Sequence, residues 1–279
     1  MRTQRVLLSV AATVLATTSC SSGPEPPKPG SPAFLWNAAK TTYRSGDFVK
    51  TSETLQQLTR SDSEFAVRAR PWSIVISAGL AQGYAETAEA YEAGARANRA
   101  NPTPFRKEVN QLRSRASAAA VELAETVHSF LEKDKAPTVL LAFENPTGAA
   151  AQPGGLRKVT GGAWIQDSER ELLLTAMVQR GVLLSAGRAA GSPDDPAKTL
   201  EVLKSGEAQA PRPVFLSGVA KMLYDNSDLF GSMKMDQPNR MRLLCREASE
   251  SLQGIPESKE TKALTTKIHA ALKKIKAAT

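Results

Sequence analysis

The chain has 279 residues, a formal net charge of +8 and 41% hydrophobic residues, enough to build a sizeable core. Aromatic residues make up only 5%, which argues against an aromatic-rich β-sandwich and for closely packed helices. Two cysteines and two histidines rule out a zinc site of four thiolate or imidazole ligands at close spacing and allow one disulfide at most.

The chain opens on a basic segment with Arg2 and Arg5, followed by an uncharged, largely apolar run over residues 6–18. A basic start before an apolar run of this length reads as an export signal. It is shorter than the ~20 residues needed to span a bilayer. The run ends in "LATTSC", where Ser19 and Cys20 stand at the junction. This junction resembles the lipobox of bacterial lipoproteins, in which a small residue precedes a cysteine that is lipidated and becomes the mature N-terminus. The resemblance implies lipid on Cys20, anchoring to the bacterial membrane, and, from Ser21 in place of Asp, an outer-membrane address facing the periplasm. Residues 20–33 are rich in Pro, Ser and Gly, a composition that cannot pack and reads as a tether.

Residues 34–133 read as helical. Leu35, Ala38, Ala39 and Thr42 share a helical stripe, a turn falls at Gly46-Asp47-Phe48, and Val49, Leu55 and Leu58 follow at helical spacing. The set Leu35, Ala39, Gly46-Asp47-Phe48, Thr51, Leu55 and Leu58 resembles a tetratricopeptide repeat. A second, more degenerate copy is expected from Trp72 and Ile76, with its turn at Gly83, then Ala88 and Ala95, closing at Asn101-Pro102. The resemblance implies a stack of helical hairpins with a concave face. Asn37, Lys40, Tyr43, Arg44 and Arg70 are the residues expected to line it and meet a protein or peptide partner. A third helix over residues 105–133 carries the stripe Val109, Leu112, Ala116, Ala119, Ala120, Leu123, Val127 and Leu131.

Residues 134–166 form a Gly-rich insert. The runs 138–143 and 156–165 are expected to pair as a β-hairpin across a loose loop. Arg157, Lys158 and Trp164 make this insert the alternative site, for an anionic polymer or a sugar.

From residue 167 to 279 helices resume, with Ser168 a candidate N-cap and Gly191, Gly206 and Gly254 candidate helix ends. In the last helix Leu264, Ile268, Ala271, Leu272 and Ile275 make one apolar face among lysines. That face can dock on the core or lie on an anionic membrane. Cys245 lies on a stripe with Met241 and Leu244 and reads as a buried thiol.

The chain contains no catalytic, phosphate-loop or H-E-x-x-H motif. His128 and His269 lack a nucleophile partner in sequence and read as packed or surface side chains. The expectation is a mostly α, non-enzymatic, membrane-anchored scaffold or assembly factor. No cofactor, metal or nucleic-acid partner is implied. The alternative is a cell-wall-binding protein or envelope enzyme acting at the insert.

Overall fold

A computed structural model describes residues 27–61, 63–141, 154–192, 194–203 and 208–278. The expected signal, Cys20 and the first half of the tether lie outside these residues. The described residues are mostly α-helical, with one two-stranded sheet. None of their helices is long and apolar enough to cross a membrane.

Helices α1 (Pro32–Arg44) and α2 (Phe48–Thr59) form the expected hairpin. Gly46 turns the chain at φ +79°, in the left-handed region that favours glycine. The Asp47 side chain accepts from the Lys50 N–H and caps α2. Trp36, Ala39 and Tyr43 of α1 and Phe48, Leu55 and Leu58 of α2 are buried.

The second hairpin does not occur. Helix α3 (Glu64–Ala97) runs unbroken through Gly83. Every residue from 70 to 81 is buried, so this stretch has no solvent face. A helix apolar on all sides belongs in the middle of a structure, and α3 packs on α1, α2 and α4 (Thr103–Lys133) as well as on elements further along. In α4 the stripe from Val109 to Val127 is buried as expected, with Leu131 partly covered.

The expected β-hairpin is corrected in its second half. Strand β1 (Thr138–Leu141) exists, but residues 156–160 are a short helix, α5 (Leu156–Thr160). The strand instead pairs antiparallel with β2 (Ala208–Pro211), in the register Thr138↔Pro211 to Leu141↔Ala208. The last two residues of the expected first strand, and residues 144–153 of the expected loop, lie outside the described residues.

Helix α6 (Asp167–Ala189) begins one residue before Ser168, after Gln166. It crosses α3 where Gly79 and Gly83 face Gly181, Val178 and Val182. A Cβ on Gly181 would lie 2.4 Å from the Gly79 carbonyl oxygen, so the two backbones touch. Helix α7 (Pro196–Val202) follows, capped by Asp195. Then come α8 (Arg212–Ser227), a 3-10 turn (Asp228–Phe230), α9 (Pro238–Ser251) and α10 (Lys259–Ala278). Gly191 and Gly254 adopt φ +75° at helix ends, as expected; Gly206 lies outside the described residues.

Helix α10 docks. Ile268, Ala271 and Ile275 are buried and Leu264 and Leu272 pack against the core, so the apolar face is covered by protein. One continuous core cluster runs from Trp36 to Ala271.

Candidate functional site

The residues expected to line a concave hairpin face separate into two groups. Asn37 and Arg44 are exposed on α1 and Lys40 is half-buried. Tyr43 and Arg70 are core residues, which corrects their assignment to a binding surface. The Tyr43 ring packs edge-on against Trp72, 5.0 Å between centroids, and burial pushes its phenol well above the usual range. The Arg70 guanidinium holds Asp134 at the end of α4 with two hydrogen bonds, one from Nε to Oδ2 and one from Nη2 to Oδ1 at 3.1 Å. Arg70 is 5% and Asp134 7% exposed, so this is an internal brace between α3 and the segment that joins α4 to β1.

In the insert, Arg157, Lys158 and Trp164 are all exposed, and the last two also have partners within the fold. Lys158 Nζ donates to Glu169 Oε1 at 2.7 Å. The Trp164 ring meets Phe105 and Tyr91 edge-on at 5.2 and 5.9 Å, with the Arg170 guanidinium over it at 5.6 Å. Cys245 is fully buried, and burial pushes its thiol up against a weaker lowering by the Ser227 hydroxyl at 3.6 Å. His269 is exposed on α10. His128 is half exposed on α4, with Glu132 and Glu247 beside its two ring nitrogens.

A cleft of about 700 Å³ opens between the end of α6, α8 and the first half of α10. Its position follows from local chemistry. Ser258 and Thr261 cap α10 reciprocally: Thr261 N–H donates to Ser258 Oγ at 3.1 Å and Ser258 N–H to Thr261 Oγ1 at 2.8 Å. This fixes where α10 starts and sets Ala263 and Leu264 as one wall. Val214 of α8 forms part of the opposite wall and is 38% exposed. Gly218 lets α8 approach α6 closely, since a Cβ there would fall 2.1 Å from the Arg188 carbonyl oxygen.

Charges at the cleft are matched among themselves. Arg188 Nε donates to Asp194 Oδ1 at 2.6 Å, and its Nη1 lies 3.3 Å from Asp225 Oδ2. Lys221 Nζ reaches the same two carboxylates at 3.4 and 2.9 Å. The hydrogen bond from Arg188, with help from Lys221, holds the Asp194 carboxyl below its usual range. Lys267 and Glu260 add one charge of each sign, so the cleft is neutral and offers no net attraction to an anion. Ser192 also lines it, and its buried hydroxyl has no hydrogen-bond partner. Neutral charge, apolar walls and a spare hydroxyl suit an uncharged or mixed-charge chain segment better than a phosphate or an acidic polymer.

Apart from Gly191, which reads as a helix end, and Leu264, which reads as part of the apolar face of α10, none of these cleft residues stands out in the sequence. They come from α6, the turn after it, α8 and α10, and no local pattern links them.

Comparison with known families finds no family model that matches the chain, and comparison with curated proteins finds no relative.

Proposed function

We propose that the chain is a non-enzymatic lipoprotein, tethered to the bacterial envelope through Cys20, that serves as an interaction scaffold. The cleft between α8 and α10 seats a short peptide segment of a partner protein. The observation that carries this reading is the cleft's make-up: apolar walls at Val214 and Leu264, charges already paired, and the Ser192 hydroxyl left over. A peptide supplies apolar side chains for the walls and a backbone carbonyl for the hydroxyl.

Site-specific photo-crosslinking in intact envelopes tests it. A crosslinker at Val214 is expected to capture one partner through one mapped peptide, and Ala263→Trp, which fills the cleft, is expected to abolish the capture. A crosslinker at Leu172, 72% exposed on α6, serves as the control. Equal capture from both positions would sink the cleft as the binding site. The anchor is tested separately: Cys20→Ala is expected to release the protein from membranes into the soluble fraction.

A further inference from the structure

Glu247 is 1% exposed, and its Oε2 is a buried carboxylate oxygen with no hydrogen-bond partner. His128 Nδ1 lies 3.4 Å from it, reaching across from α4. Glu250 lies three residues further along α9, on the same side of the helix. One donor atom from each of His128, Glu247 and Glu250 lies within 4.8 Å of the others.

We infer that these three side chains form a binding site for a divalent transition-metal ion of the class that accepts imidazole and carboxylate together, zinc being the best match. Two ligands each bound at 2.0–2.1 Å to a tetrahedral zinc stand about 3.4 Å apart. The His128 Nδ1 to Glu247 Oε2 distance of 3.4 Å has that value without rearrangement. The other ring nitrogen, Nε2, faces Glu132 Oε1 at 3.4 Å. With an ion on Nδ1 the ring proton sits on Nε2 and faces Glu132, the usual arrangement around a metal-bound histidine. His128 is 51% exposed and Glu250 partly so, which leaves room for water as a fourth ligand.

Arg246 is the competing cation. Its Nη2 donates to Glu247 Oε1 at 3.0 Å and its Nε lies 3.7 Å from Glu250 Oε1. Its side chain is 60% exposed, and on Glu247 it engages the oxygen that Nδ1 does not face, so it balances the carboxylates and can swing outward when an ion enters. The site joins α4 to α9, two helices already in contact, and an ion there would clamp them.

The test is calorimetric titration of zinc chloride into the purified full chain near neutral pH, with thermal unfolding read alongside. One zinc per chain is expected, with a rise in the unfolding temperature. His128→Ala and Glu250→Gln, both at accessible positions, are expected to weaken binding at least about tenfold and to abolish the thermal shift, and Glu132→Gln to weaken it by about tenfold. His269→Ala is expected to bind as the parent does. Glu247 is buried, so Glu247→Gln is read only alongside a circular dichroism spectrum, and the site stands or falls on the accessible variants. Absence of saturable zinc binding overturns the site. Binding that survives His128→Ala, or is lost with His269→Ala, overturns it equally.

Discussion

Gly79 and Val182 meet backbone to backbone: a Cβ on Gly79 would fall 2.5 Å from both the Cα and the amide nitrogen of Val182. Neither atom can step aside without moving a whole helix, so the α3–α6 crossing tolerates no side chain there. Gly79→Ala is expected to destabilise the protein by about 1–3 kcal/mol through overpacking, measured by urea unfolding. Gly154→Ala, where a Cβ meets nothing within 4 Å, is the matched control and is expected to change little.

The Arg70–Asp134 brace makes a different prediction. Removing one partner leaves the other charge buried and unpaired, which costs more than the pair contributes. Asp134→Ala is expected to cost about 3–5 kcal/mol, and the double variant with Arg70→Met to recover a large part of that loss. Simple additivity in the cycle would show that the two side chains do not act together. Arg212 would not rescue Asp134→Ala, because it is a second cation beside the same carboxylate, stacked 5.0 Å from the Phe130 ring.

All four tyrosines have phenols pushed upward, each with burial as the leading cause; Tyr91 is pushed up to about 12. The folded state therefore holds these protons more tightly than the unfolded state, whose phenols titrate near pH ~10. The stability this contributes is fully present below about pH 10 and is lost as pH rises beyond it. Absorbance near 295 nm is expected to show phenolate appearing together with unfolding above about pH 10. Four independent titrations near the ordinary phenol value, in a chain that stays folded, would contradict the burial described for Tyr43 and Tyr91.

Cys245 makes a test of core integrity. Its thiol is fully buried and raised, so a thiol reagent at about pH 8 is expected to find no reactive group in native Cys20→Ala protein and one after denaturation. Labelling at the same rate in both states would mean that the α8–α9 interface opens readily.

The elements legible in the sequence are those with a solvent face. Helices α1, α2, α4 and α10 each carry a stripe broken by polar residues, and the stripe reports both the helix and the side that packs. Helix α3 does not read as one helix because burial on every face erases periodicity. Gly83 has the composition of a turn and is instead a contact point for Val178 of α6. Strand β1 is legible from its own residues, but its partner β2, "AQAP", has no β-branched residue and lies on the far side of α5, α6 and α7. Arg70 and Tyr43 belong to residue types that suit a binding surface; only the packing of α3 against α1 and β1 reveals that they serve the interior. The cleft is not legible because it is assembled from four separated segments, and the three candidate metal ligands sit on two helices whose contact no local spacing announces.

The burial of α3 has a consequence for the chain before it is folded. Between Arg70 and Glu86 there is no charged residue, and this stretch finds its full complement of neighbours only once α6 and α8 are present. Until then it is a bare apolar segment, the kind of surface a holding chaperone grips. It is also shorter than the ~20 residues at which a secretion channel releases a segment sideways into the lipid. The uncharged stretch that organises the core of the folded protein is thus too short to stop in a bilayer when an unfolded chain is threaded through one.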